Sequence, residues 1–303
     1  MYRDNLNDNI STEVIMVYLK RFGLLNDIKE HSIVCGLDTR NIYNNYYPLH
    51  IFSSKNFEEI EFSDITIFYG GNGSGKTTLL NIISEKIDAT RKNRIDKGNY
   101  FNLYVDLCKH NMIYEEPSEI KVISSDDVFD YLLNIRAINA RVNRNKERLS
   151  KEYLNAKFSS SSNNLENYEE LKNKCDSQRK TMSKYVRERM GNNNIVEMSN
   201  GESALMFWEQ EINEESIYIL DEPENSLSAE NQIKLKKFIE ESVRFFNCQF
   251  IISTHSPFLL NLKDAKIYDL DEVPVINKKW TELNNVRTYY DFFKEHEDEF
   301  KEI

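Results

Sequence analysis

The sequence predicts an α/β fold in which helices flank a largely parallel sheet, on the evidence of three apolar runs: Ile65-Thr66-Ile67-Phe68-Tyr69, Ser216-Ile217-Tyr218-Ile219-Leu220 and Phe250-Ile251-Ile252. Strands covered on both faces read as near-continuous apolar runs rather than as alternating ones. Each run ends in polar or glycine-rich residues, and in open parallel sheets ligands bind beyond the carboxyl ends of the strands.

Taken in chain order, residues 1–64 hold two further strand-like stretches, Leu49-His50-Ile51-Phe52 and Phe57-Glu58-Glu59-Ile60-Glu61-Phe62, which feed the first of the three runs. Tyr43, Tyr46, Tyr47 and Phe52 could offer a ring to a nucleotide base, although core packing is the commoner fate of such aromatics. After Tyr69 comes Gly70-Gly71-Asn72-Gly73-Ser74-Gly75-Lys76-Thr77, then the helix-patterned Thr78-Leu79-Leu80-Asn81-Ile82-Ile83. Strand, glycine loop, Lys-Thr and helix in this order predict a P-loop NTPase, because glycines let backbone N–H groups turn inward around phosphates and the helix N-terminus adds partial positive charge. Lys76 then reaches the β and γ phosphates of ATP, and the Thr77 hydroxyl ligates Mg²⁺. Four of the chain's nine glycines fall between positions 70 and 75, which makes a plain surface turn a poor reading.

Residues 131–190 form a distinct stretch. Ile135, Ile138, Val142, Leu149 and Tyr153 recur at helical spacing, Ser159 to Asn164 interrupt, and Leu165, Tyr168, Leu171, Cys175, Met182 and Tyr185 resume the spacing, which predicts a helical hairpin with arms on the order of 40 Å. This stretch holds 14 Lys or Arg against 7 Asp or Glu, a local charge of +7 in a chain of net charge −11. Such a basic lobe could track a phosphate backbone, or it could be a solvated amphipathic hairpin whose charges keep it soluble or pair with the acidic body of a partner. The net acidity argues against a nonspecific nucleic-acid coat.

The second apolar run ends in Asp221-Glu222-Pro223. Asp221 is placed to hold Mg²⁺ through its water shell, and Glu222 to act as general base toward a water. The helix-patterned Gln232 to Phe246 leads to the third run, which ends in Ser253-Thr254-His255-Ser256-Pro257, where His255 could bond a γ phosphate. The end of the chain, Glu295 to Glu302, is acidic and reads as solvated.

These blocks, together with Met198-Ser199-Asn200-Gly201-Glu202, resemble the ABC-type ATPases. Gly70 to Thr77, followed by Thr78, looks like their phosphate loop, and Ser199 to Glu202 like their signature peptide. Ile217 to Glu222 looks like their magnesium and base strand, Asn225-Ser226-Leu227-Ser228 like their D-loop and His255 like their switch histidine. The resemblance implies an ATPase head with a mixed sheet flanked by helices, built from residues 1–130 and 191–303, with the hairpin lobe 131–190 inserted. It also implies a head-to-tail homodimer in which the signature peptide Ser199 to Glu202 of one copy, chiefly Ser199 and Gly201, caps the γ phosphate held by Lys76 of the other. Two departures stand out. The lobe-linking loop of the family carries Gln, whereas Ile120 to Val128 here offer only Asp126 or Asp127, and the last signature position is Glu rather than Gln. The signature, with Asp221 to Ser228 and Thr254 to Leu260, looks more like the soluble SMC, RecF and OLD-type branch, and specifically like small stand-alone bacterial ATPases that also share Trp280 to Leu283 and Tyr289 to Phe293.

Composition fits that branch. The four cysteines are scattered and form no Cys-x-x-Cys pair, so a reducing cytoplasm is expected and no zinc site is. No apolar run reaches the length of a membrane helix, and Met1 to Asn5 start no signal peptide. The expected roles are a dimeric ATP switch acting on nucleic acid or a nucleic-acid-bound partner, in repair or defence against mobile elements, or a regulator of a separately encoded toxin or nuclease. A transporter subunit is disfavoured by the signature and by the missing Gln, and an OLD-type nuclease by the short stretch after His255.

Overall fold

A computed structural model describes residues 17–35, 46–95, 97–113, 116–158, 168–190, 200–225 and 227–301. The described residues cluster into two compact units, divided at Val128/Phe129 and at Ala204/Leu205.

The larger unit begins with β1 (Leu19–Gly23) and α1 (Asp27–Cys35), followed by β2 (Glu59–Glu61), the loop strand β3 (Ile65–Tyr69), α2 (Lys76–Lys86), α3 (Phe101–Leu107), β4 (Lys109–Met112) and β5 (Glu119–Ser124). At the border come α4 (Ser125–Phe158), then α5 (Tyr168–Arg179), α6 (Met182–Met190) and α7 (Asn200–Glu211). The larger unit resumes with β6 (Ser216–Asp221), α8 (Ala229–Phe246), β7 (Gln249–Ser253), α9 (Pro257–Leu260), β8 (Lys266–Asp269), β9 (Ile276–Asn277), α10 (Asn284–Glu295) and α11 (Glu297–Lys301).

The main sheet has the order β5-β6-β7-β3-β8-β9, parallel throughout except for β9, so the three sequence-predicted runs lie side by side at its centre. Every residue of β3 and β7 is buried, and β6 is buried as far as Leu220, which is why these strands are apolar without alternation. α2 covers the sheet with Leu79, Leu80, Ile82 and Ile83, each worth about 1.5–3 kcal/mol of burial. α8 is capped by the Ser228 side chain, which accepts from the Asn231 N–H, and it ends at Asn247 in the left-handed region.

A smaller antiparallel sheet, β2-β1-β4, is fastened to the first by a wholly buried glutamine. Gln249 Oε1 accepts from Leu19 N–H at 2.8 Å, and its Nε2 donates to the carbonyls of Leu19 and Ser63 at 2.9 and 3.1 Å. The strand predicted at Leu49 to Phe52 is instead a turn followed by bends. The buried Glu30 carboxylate draws in His50 N–H at 2.7 Å and Ser53 Oγ at 2.6 Å, and His50 takes a φ of 65°, so the chain curls where the apolar residues suggested extension.

α4, all but its first four residues in the smaller unit, runs unbroken for 34 residues, about 50 Å, and ends at Phe158 where the serine stretch begins. The returning arm breaks between Arg179 and Met182 rather than forming one helix, and α6 packs back on α4 through Leu149, Tyr153, Tyr185 and Val186. The Tyr153 and Tyr185 rings meet edge to face at 5.3 Å, and Tyr153 OH donates to the Lys180 carbonyl exposed at the break. The interruption from 159 to 167 lies outside the described residues. Among the described residues no helix is long and apolar enough to cross a membrane.

Candidate nucleotide site

The loop between β3 and α2 has the shape that its glycines predict. Gly73 and Gly75 have φ of 81° and 100°, a region that side chains strain to enter. A Cβ on Gly75 would also lie 3.0 Å from Ile51 Cγ2. Lys76 is buried, yet its Nζ donates only to neutral carbonyls, Gly70 O at 2.7 Å and Gly71 O at 3.1 Å, with Glu222 Oε1 at 3.7 Å. A buried ammonium held by a concave turn of glycine backbone, with one carboxylate at the edge of ion-pair distance, fits a phosphate group, which would add negative charge directly against it. Asn72 and Ser74 lie in the same turn, and Thr78 follows in the first turn of α2.

Register brings the remaining predicted residues to this place. Asp221 stands opposite Ser253 across β6 and β7, so that Ser253 Oγ hydrogen-bonds Asp221 Oδ1, and Thr77 Oγ1 donates to the same oxygen at 3.2 Å. Burial pushes the Asp221 carboxyl above its ordinary range, and the bonds from Ser253 and Thr77 oppose that shift. A hydroxyl and a carboxylate side by side are hard oxygen donors of the kind Mg²⁺ takes. Glu222 has a φ of 49°, uncommon for a non-glycine residue and a form of local strain concentrated at functional sites. Its N–H donates to Ser253 O and Oγ at 3.0 and 3.2 Å, and Asn225 Nδ2 donates to its Oε2 at 3.1 Å, which leaves Oε1 turned toward Lys76 and His255. His255 Nδ1 is 3.7 Å from that oxygen.

Glu224 is a residue the sequence reading passed over. Its buried Oε1 accepts from Thr254 Oγ1, His255 N–H and Ser256 N–H at 2.6, 3.0 and 3.3 Å, so it fixes the backbone that carries His255. Burial raises its carboxyl above the ordinary range. The only available signal was its adjacency to Asp221-Glu222, and a solvated turn explains that equally well. Arg91 was also missed; its half-buried guanidinium bonds Asn81 Oδ1 at 3.0 Å, and its Nη1 has no hydrogen-bond partner among the described residues.

Asn200, Gly201 and Glu202 open α7, whereas Ser199 and Ser226 lie outside the described residues. Asp127 accepts from Ser124 N–H and Oγ, both at 2.8 Å, and from Asn93 Nδ2 at 3.1 Å, so it secures the start of α4, while Asp126 is exposed. Phe52 is wholly buried, Tyr47 stacks on Phe101, and Tyr46 stacks on Tyr100 with its ring partly open to solvent. Tyr43 lies outside the described residues.

A family model described as an AAA ATPase domain matches residues 190–260. The chain is similar in structure to the SMC head domain from Thermotoga maritima, at 16% identity over 87% of this chain and 99% of that one, with a TM-score of 0.39. It is also similar to a dimeric ATP-binding cassette in a post-hydrolysis state bound to ADP and Pi, at 14% identity over 73% and 88%, with a TM-score of 0.33. No curated protein matches the sequence.

Proposed function

We propose that this P-loop ATPase, similar to SMC and ABC heads, hydrolyses ATP as a switch, and that two copies close head to tail around the nucleotide. One observation carries the reading: Lys76, Thr77, Asp221, Glu222 and His255, which span 180 positions of sequence, form one cluster at the carboxyl ends of three adjacent strands. Lys76 would exchange its loop carbonyls for phosphate oxygens, and Thr77 with Asp221 would hold Mg²⁺. When bound, ATP supplies the scissile phosphoanhydride and Mg²⁺ neutralises charge that develops on the phosphates. Glu222 Oε1 orients a water and takes its proton, with His255 hydrogen-bonding beside it. Ser199, Gly201 and Glu202 of the second copy complete the site. Replacing Glu222 by Gln keeps the shape and removes the base, so phosphate release should fall by about 10²–10⁴-fold while nucleotide still binds; turnover near wild type would remove Glu222 from that role.

The smaller unit supports nucleic acid, or a partner bound to it, as the object of the switch. Arg136, Arg141, Arg144, Lys146, Arg148 and Lys151 are exposed along α4, and Arg179, Lys184 and Arg187 along the returning arm. Neutralising Arg141, Arg144 and Arg148 should weaken duplex binding and lower the salt slope by roughly two to three, at about 0.9 per phosphate contact. Unchanged affinity and slope would leave a protein effector, such as a toxin or nuclease, as the partner.

A further inference from the structure

A segment that the nucleotide motifs do not include grips the site at three points. Asp271, just beyond β8, accepts from Gly71 N–H through both carboxylate oxygens, at 3.1 and 2.8 Å. Lys55 Nζ bridges the Ser74 carbonyl at 2.6 Å and the Leu270 carbonyl at 2.7 Å, and Val275 N–H donates back to Lys55 O at 3.2 Å. Asn285, in the first turn of α10, donates its N–H to Tyr69 OH at 3.1 Å and its Nδ2 to the His255 carbonyl at 2.8 Å. The stretch from Asp269 to Asn285 therefore touches the phosphate loop directly at Gly71 and through Lys55 at Ser74, and it also touches the last residue of the loop's strand and the histidine beside Glu222.

Its far end leads to an exposed helix. Beyond Val286, α10 leaves Tyr289, Tyr290, Phe292 and Phe293 largely open to solvent, so the bonds that aim this helix are concentrated in its first turn. The backbone at His255 is held from one side by Glu224 and from the other by Asn285. A backbone shift that carries His255 toward a phosphate is therefore taken up by one of these two partners. Glu224 is buried with three donors on one oxygen, whereas the helix that Asn285 begins is exposed beyond Val286, and the looser partner yields.

We infer that Asn285 is a positioning residue for His255, and that the Asp269–Asn285 segment is a strap which reorients α10 when the site fills. The inference rests on the nucleotide reading above. Coupling of this kind is reciprocal: whatever the nucleotide does to α10, loosening α10 does to nucleotide affinity by the same factor.

The chain holds its own reporter. Of its two tryptophans, Trp280 lies within the strap and is 36% exposed, whereas Trp208 is wholly buried. Titrating ATP with Mg²⁺ into the full chain should change Trp280 emission, and Trp280→Phe should remove that change. Asn285→Ala should abolish the change and alter the ATP dissociation constant, measured separately by calorimetry, by about fivefold. ATP binding with silent Trp280 emission, or an Asn285→Ala response equal to wild type, would overturn the strap and leave the nucleotide reading standing. No calorimetric binding by wild type would overturn the nucleotide reading, and the strap with it.

Discussion

Replacing Lys76 by Ala is expected to weaken ATP binding by about 10²-fold or more while leaving the apo protein at least as heat-stable as wild type. The two effects have one cause. Lys76 is a buried ammonium whose hydrogen bonds reach only neutral carbonyls and whose carboxylate partner, Glu222, stands off at 3.7 Å, so the desolvation cost of its burial is only partly offset in the apo chain. With phosphate present the same charge becomes one half of a desolvated ion pair, whose truncation costs about 2–5 kcal/mol. ATP should therefore raise the melting temperature of wild type and not of Lys76→Ala, since stabilisation by a ligand follows RT ln(1 + [L]/Kd). A variant that loses apo stability but keeps the ATP-induced rise would show Lys76 to be a structural cation instead.

Replacing Ser199 by Arg is expected to abolish ATP-dependent dimerisation and to cut hydrolysis at least about 10²-fold, with ATP binding by each monomer retained. If Ser199 caps a phosphate held by another copy, the much longer Arg side chain overfills the space that a serine hydroxyl leaves between the two copies and holds them apart. Light scattering with and without ATP reads the first effect, and phosphate release reads the second. Wild-type values for both would separate the signature peptide from the site.

The parts of this site that were legible in the sequence are those whose chemistry is set by local order. Gly70 to Thr77 announced itself because the turn needs glycine at positive φ and the helix begins at Lys76. Ser216 to Asp221 and Gln249 to Ser253 were readable as buried strands because both faces are covered. What stayed hidden depends on contacts distant in sequence. Nothing near Glu30 suggested that its carboxylate would curl Leu49 to Phe52 into a turn. Asp271 is 200 positions from the glycine it holds, and Asn285 is 30 from the histidine it touches. The Arg179 to Met182 break was hidden for a different reason: apolar spacing continues across it, so periodicity alone joined two helices.

One measurement bears most directly on the claim that the site is shared between two copies. Lys76→Ala and Ser199→Arg chains are each expected to be inactive alone, but a heterodimer places the intact Lys76 of one against the intact Ser199 of the other. Phosphate release from an equimolar mixture should therefore exceed the sum of the two variants measured separately, and the excess should disappear when Glu222→Gln is added to the Ser199→Arg chain. A mixture that releases phosphate only at the summed rate of its parents would contradict the shared site.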